Sequence, residues 1–105
     1  MDLKSHEERW AVWLVQARNF AKRQNYTDAV ARMKLVRDAV RASLDDASNP
    51  GVQQRLERHL ARAEEELGVM SAQYEAWRSE IAARRQHTID QAAEEMARPL
   101  PVPSD

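Results

Sequence analysis

The sequence predicts an all-α protein, and two observations about residue placement support this. Helix breakers are confined to a few places: the glycines are Gly51 and Gly68, and the prolines are Pro50 and three more after residue 98. Ala, Arg, Glu, Gln, Leu and Met dominate the remainder, and aromatic and β-branched residues never alternate over four or more positions as a strand requires. The chain therefore has room for long helices and contains no strand pattern.

Three helices are predicted within a single domain over residues 1–97, with bounds at about 5–23, 27–46 and 50–97. The first helix begins at Ser5, which together with Glu8 has the S-x-x-E spacing of a capping box. The second opens at Thr27, a suitable N-cap that is followed by an acidic residue in the first turn. We therefore expect the first two helices to form an antiparallel hairpin.

The third helix is predicted to begin at Pro50, capped by Ser48 or Asn49, because proline fits the first helical position. It is expected to run to about Ala97, where a proline two residues later stops it. Residues 98–105 are rich in proline, and we expect them to form an extended and mobile tail.

The third helix carries a heptad pattern of apolar residues, which is typical of a coiled coil. Its members alternate at intervals of four and three: Leu56, Leu60, Ala63, Leu67, Met70, Tyr74, Trp77 and Ile81. The pattern crosses Gly68 without a phase change. After Ile81 it fails and restarts near Ile89 about one residue out of step, as a four-residue insertion in a heptad would produce.

The helix lengths predict that the hairpin cannot cover the third helix. Helices of about 19 residues are roughly 28 Å long, whereas 48 residues reach roughly 72 Å. Four residues are expected beyond the hairpin, as candidate partner-binding residues: Met70, Tyr74, Trp77 and Ile81. Since such a stripe is not left in water, another chain covers it, or the helix breaks at Gly68 and folds back. The first choice is a three-helix bundle with a coiled-coil extension, and the alternative is a four-helix bundle.

Residues 13–36 carry a second pattern, in which aromatic and small residues fall at fixed offsets: Trp13, Ala17, Phe20, Tyr26, Ala29, Met33 and Val36. This stretch resembles one tetratricopeptide repeat, and with a third helix following it is also similar to the microtubule-interacting-and-transport domain. Gln16 and Arg41 depart from the repeat pattern, and no second copy follows. The resemblance implies a helical hairpin that binds peptides, often helical or acidic-tailed, in grooves between helices.

No residue pattern indicates catalysis or a cofactor. The chain lacks cysteine, which excludes thiol nucleophiles and thiolate metal sites. The histidines are His6, His59 and His87, and no paired Glu-x-x-His motif or Gly-rich phosphate loop occurs. His87, Asp90 and Glu94 share a helix face, and we interpret them as part of a solvated surface rather than as a metal site. We therefore predict a protein that is not an enzyme and that needs no metal, cofactor or small-molecule substrate.

The charges are balanced in total but uneven along the chain. The chain has sixteen basic and seventeen acidic residues, and this balance argues against a dedicated nucleic-acid binder. Residues 18–41 hold seven basic against two acidic residues, whereas residues 42–105 hold seven arginines against twelve acids. One interpretation is that the basic hairpin packs beside the acidic triplet 64–66, or that these charges lie on solvated faces. The other is that an acidic partner binds the hairpin, with Arg32 and Arg37 as candidate contacts.

These patterns predict a cytoplasmic protein–protein interaction module, in the manner of an adaptor, a secretion-type chaperone or an assembly subunit. The first residues lack the apolar stretch of a secretory signal, and no apolar run approaches the roughly 20 residues that span a bilayer. The expected partner is a helical protein or a second copy of the chain. Two alternatives are a self-assembling structural coiled coil and a small nucleic-acid-associated regulator that uses the Arg-rich hairpin.

Overall fold

The computed structural model describes residues 2–99 and confirms the all-α prediction. It contains three helices, α1 (Leu3–Lys22), α2 (Tyr26–Asp46) and α3 (Pro50–Ala97), and no strand within the described residues. The end of α3 lies at the predicted residue. The predicted tail falls largely on residues 100–105, which are outside the described residues.

Helix α1 begins earlier than the sequence pattern indicated. Asp2 is its N-cap, and the Asp2 carboxylate accepts a hydrogen bond from the backbone N–H of Ser5 at 2.9 Å. This hydrogen bond lowers the pKa of Asp2, since it favours the ionised form. The prediction that Ser5 caps the helix was wrong, because Asp2 lies three residues earlier and caps a helix that already includes Leu3, Lys4 and Ser5.

The turn between α1 and α2 uses a left-handed residue that is not glycine. Gln24 has φ 61°, and the Asn25 N–H donates to the carbonyl of Phe20 at 2.9 Å while the Gln24 N–H donates to Ala21 at 3.0 Å. This pair of bonds is a Schellman motif, which satisfies the last carbonyls of α1. The Asn25 side chain then caps α2 by accepting from the Asp28 N–H at 3.4 Å. Asn25 therefore takes the capping role that was predicted for Thr27.

Helix α3 begins as predicted and is not interrupted. The Asn49 side chain accepts from the N–H groups of Gly51 and Val52 at 2.9 and 3.3 Å, with Pro50 in the first helical position. Gly68 lies inside α3 and, like the other glycine, does not have positive φ. The alternative of a four-helix bundle broken at Gly68 was therefore wrong. An exposed glycine within a helix costs only about 1 kcal/mol, which the flanking leucine and methionine packing offsets.

The chain divides into two units, Met1–Tyr74 and Glu75–Asp105, and α3 contributes to both. The first unit contains a core in which the buried side chains come from all three helices: Trp10, Ala17, Ala29, Met33, Val36, Val40, Leu56, Ala63, Leu67 and Met70. Ala17 and Ala29 have no exposed surface. Their small side chains allow α1 and α2 to approach closely, while larger side chains separate α3 from the pair.

Ion pairs between helices define the directions in the first unit. Glu7 near the start of α1 pairs with Arg55 near the start of α3, and Arg18 further along α1 pairs with Glu66. Helices α1 and α3 therefore run parallel to each other. Ser43 and Asp46 at the end of α2 lie beside Leu3 and His6 at the start of α1, so α2 runs antiparallel to α1. Arg41 of α2 also pairs with Glu64 of α3 at 3.1 Å.

Candidate interaction surfaces

The predicted partner-binding stripe on α3 is only partly available. Met70 is 3% exposed and belongs to the core of the first unit, so its placement beyond the hairpin was wrong. The last turn of α1 reaches it, since Ala21 and Lys22 line the same shallow depression as Met70. Tyr74, the last residue of the first unit, is partly exposed, and Trp77 and Ile81 in the second unit are partly exposed as well.

In the second unit, α3 is exposed along nearly its whole described length. Between residues 75 and 99, Trp77 and Ile81 are partly covered and every other residue is exposed. Ile89 is 59% exposed and Met96 is 88% exposed, which are high values for large apolar side chains. These four residues and Ala92 fall within about 120° of the helix surface at 100° per residue. The segment therefore carries an apolar stripe without a core.

The two arginines predicted on α2 do not form one patch. Arg32 is partly buried beside Phe20 and Leu35 in a shallow depression of the hairpin. Arg37 pairs with its neighbour Asp38, with 2.9 Å between Arg37 Nε and the carboxylate. Residues five apart point about 140° away from each other around a helix, so Arg32 and Arg37 face different surroundings.

The basic residues of the hairpin are in part neutralised within the molecule. Arg18 of α1 and Arg41 of α2 pair with Glu66 and Glu64, so the acidic triplet of α3 lies between two cations from the hairpin. This arrangement confirms the interpretation in which the basic hairpin packs beside the triplet. It also leaves less uncompensated charge on the hairpin for an acidic partner than the sequence indicated.

A polar cluster that sequence reasoning missed joins α1 to α3. The Glu7 carboxylate accepts from Arg55 Nε at 2.9 Å, and His59 Nε2 lies 2.6 Å from the same oxygen. Partial burial opposes ionisation of Glu7, yet the hydrogen bonds from His59 and Arg55 outweigh it and lower the pKa of this carboxyl. The partners are 48 and 52 residues away in the chain, so no local spacing could have identified them.

Trp10 connects this cluster to the core of the first unit. Its ring is 4% exposed, stacks on His6 at 5.8 Å and meets the edge of His59 at 5.7 Å. Beside it lies a cavity of about 100 Å³ whose lining is mainly apolar: Trp10, Ala11, Leu14, Met33, Val36, Val40 and Ala63, with Glu7, His59 and Arg62. Trp10 therefore belongs to the core of the first unit.

The described residues contain no further site of recognisable chemistry. Among residues 2–99, no group of three His, Asp or Glu side chains is placed to hold a metal ion. His87, Asp90 and Glu94 all lie exposed on α3. No helix in this part of the chain combines the length and apolar character needed to cross a membrane.

Comparisons with known proteins do not assign the chain to a family. No family model, no curated protein and no solved structure matches it. The resemblance of residues 13–36 to a tetratricopeptide or microtubule-interacting-and-transport hairpin therefore stays a prediction.

Proposed function

We propose that the protein is a helical interaction module in which the second unit binds an α-helix of a partner chain. One observation carries this proposal: between residues 75 and 99, large apolar side chains share a helix face while almost every residue is exposed. The partner helix would pack along Trp77 and Ile81 and continue past Ile89 to Met96. The role is that of an adaptor, a secretion-type chaperone or an assembly subunit.

The energetics of an isolated helix support a partner. Most helical stability in proteins comes from packing of an amphipathic face, and isolated helices shorter than about 12–15 residues are marginal in water. Residues 75–97 extend beyond that length, but they gain little from burial while most of their apolar stripe is exposed. Full burial of a large apolar side chain contributes about 1.5–3 kcal/mol. A partner that covers the stripe would therefore stabilise this segment as a helix.

Trp77 is the natural anchor of this surface. Tryptophan is among the residues that contribute most to binding when they fill a pocket at the centre of an interface. Ile81 lies one turn further along the same face and would pack beside it. The partner expected here is thus an amphipathic helix with an apolar face, bound by helix-in-groove or coiled-coil packing.

The first unit serves as the folded base of the module in this proposal. Its three-helix core holds α3 at one end through Leu56, Leu67 and Met70, independently of what binds the second unit. Met70 is therefore not part of the proposed surface. Location in the cytoplasm and the lack of catalytic activity stay predictions from the sequence.

Site-specific photo-crosslinking in the producing cells tests the proposal. A photoreactive benzophenone amino acid replaces Trp77 in one full-length variant and Ala83 in the control, since residue 83 lies on the opposite face of α3. We expect a defined protein adduct from position 77, none from position 83, and loss of the adduct when Ile81→Asp is added. Equal labelling at both positions, or no adduct at position 77, would overturn the proposal.

A further inference from the structure

We infer that the helix covering the second unit is the same segment of a second copy of this chain, bound antiparallel about a two-fold axis near residues 86 and 87. This inference rests on the proposed function and names its partner. Three features of residues 75–97 support it: the spacing of the stripe, the order of its charges and the absence of ion partners for particular side chains.

The stripe reads the same in both directions along the helix. The positions along the middle of the stripe are separated by intervals of four, four, three, four and four residues: Trp77, Ile81, Arg85, Thr88, Ala92 and Met96. Ile89 lies at the edge of the same face. An antiparallel pair related by a two-fold axis requires this property, because each position must face its mirror position in the other copy. Trp77 then faces Met96 of the second copy, and Ile81 faces Ala92.

The same spacing explains why the heptad fails after Ile81. Positions 77 and 88, 81 and 92, and 85 and 96 are each eleven residues apart. An eleven-residue repeat corresponds to about 3.67 residues per turn, close to the period of a straight α-helix. The stripe therefore stays on one face of a nearly straight helix, and the two copies can remain in contact over about 30 Å without strong supercoiling.

The charges of this segment favour the antiparallel direction. Residues 75–87 carry three arginines and two glutamates, whereas residues 88–97 carry three acidic residues and no basic one. A parallel pair would place the two acidic halves side by side. The antiparallel pair places each acidic half beside the net-positive half of the other copy, which lowers repulsion and selects the orientation.

The ion pairs within the segment leave charges that such a pair could use. Glu80 pairs with Arg84 along the same helix, and Glu75 lies 3.9 Å from Arg78. Arg85, Glu94 and Glu95 make no ion pair with any residue between 2 and 99.

Arg85 and Thr88 form the polar centre of the stripe. The aliphatic part of Arg85 can pack against Thr88 of the second copy while its guanidinium extends to solvent at the edge. A polar layer inside an apolar seam costs stability but fixes register and orientation. A parallel pair would instead place Arg85 against Arg85 of the second copy, where the like charges repel.

Cysteine pairing in the full-length protein tests the inference, because the chain has no cysteine of its own. The variants are Ile81→Cys, Ala92→Cys and, as the control on the opposite face, Ala83→Cys. A disulfide requires Cα atoms within about 7 Å, and in the antiparallel pair position 81 lies about 17 Å along the axis from its own copy. An equimolar mixture of the first two variants should therefore form crosslinked dimers at least tenfold faster than either variant alone or the control.

Other outcomes of these experiments distinguish failure of the inference from failure of the proposed function. Fast crosslinking of Ile81→Cys with itself would show a parallel pair and overturn the inference while leaving the proposed function intact. A monomer by light scattering at all concentrations, with no crosslink in the mixture, would overturn it as well. If the photo-adduct at position 77 contains a different protein, the inference fails and the proposed function stands; if no adduct forms there, both fail.

Discussion

The two units of the chain differ in how far their apolar side chains are exposed, and two methionines, Met33 and Met96, show this difference. Met33 has no exposed surface and lies in the core of the first unit, whereas Met96 is 88% exposed in the second. The ion pairs follow the same division. Among the described residues of the first unit, every ion pair except Arg37–Asp38 joins different helices, as Glu7 does with Arg55, whereas those of the second unit join neighbouring turns of α3, as Glu80 does with Arg84.

This difference shows that one helix can contribute side chains to a core in one segment and expose them in the next. Residues 50–74 of α3 are specified by contacts with the hairpin, because the apolar seam is buried there. Residues 75–97 carry a similar density of apolar residues, but those side chains remain exposed in the isolated chain. The first unit is expected to respond to mutation as a core, and the second as an exposed surface.

The largest expected effect comes from truncating the two methionines. Met33→Ala should lower the free energy of unfolding by about 2–5 kcal/mol, because it leaves a cavity in the core. Met96→Ala should change it by less than about 0.5 kcal/mol when the protein is dilute. Chemical denaturation followed by circular dichroism measures both, and Met33→Leu, expected to cost less than about 1.5 kcal/mol, keeps the comparison usable if Met33→Ala does not fold. Equal losses for both alanine variants would contradict the division into core and surface.

A smaller effect is expected from the ion pairs, compared through two matched glutamates. Glu7→Gln should cost about 1 kcal/mol at neutral pH, because it removes the charge that Arg55 and His59 contact. Glu80→Gln removes a pair within one helix and should cost about 0.3–0.5 kcal/mol at most. Urea denaturation of both variants against the parent measures the difference.

The pH dependence of the free energy of unfolding gives a separate test of the contribution of Glu7. The pKa of Glu7 is lowered in the folded protein, so its contribution is present above its ordinary value of 4.5 and is lost as the pH falls through the folded-state pKa. Denaturation midpoints measured from pH 6 down to pH 3 should therefore fall less steeply for Glu7→Gln than for the parent. Parallel curves for the two proteins would show that the Glu7 cluster contributes nothing in solution.

Gly68→Ala tests whether α3 is continuous where the first unit approaches its end. A Cβ built on Gly68 meets no atom within 4 Å, so alanine should raise the free energy of unfolding by about 0.5–1 kcal/mol through helix propensity. A helix that ended at Gly68 in a left-handed cap would instead be destabilised by alanine. The midpoint of thermal unfolding should therefore rise in the alanine variant if α3 is continuous, and fall if α3 ends at Gly68. Ala83→Gly in the second unit is the reverse control and should reduce the helical signal.

The smallest expected effect is at the turn between α1 and α2. Gln24 occupies the left-handed region at φ 61°, where a side chain is strained, so Gln24→Gly should stabilise the protein by a few tenths of a kcal/mol up to about 1 kcal/mol. Arg23→Gly is the matched control, because Arg23 has negative φ and gains nothing from glycine there. Thermal denaturation should show a higher midpoint for the first variant and a lower one for the second.

Two helix caps were predicted at the wrong residue for the same reason, since neighbouring side chains compete to cap one helix end. Ser5 and Thr27 are acceptable caps, but Asp2 and Asn25 lie close to them and offer side-chain acceptors at the positions that the helices use. A short stretch of sequence contains several candidate caps, and small differences in free energy decide between them. At the start of α3, Pro50 fixed the first helical position, which left Ser48 or Asn49 as the cap, and the structure uses Asn49.

The error at Met70 has a different cause, because it concerns register between helices. Helix lengths alone placed the end of the hairpin just short of Met70 on α3. The pairing of Arg18 with Glu66 sets the actual alignment, and it brings the last turn of α1 level with Met70. The sequence contained both charged residues but no rule for choosing that pair among the many possible ones.

The sequence by itself determined the helical class, the break at residues 46–50, the continuity of the apolar seam and the end of α3, because these depend on propensity, capping and periodicity within a few residues. Only the tertiary structure decided which part of the seam is buried, where Glu7 finds Arg55 and His59, and that Arg32 and Arg37 face different ways. These features depend on contacts between residues far apart in the chain. Such contacts form only when the helices pack at a particular register, which no local pattern specifies.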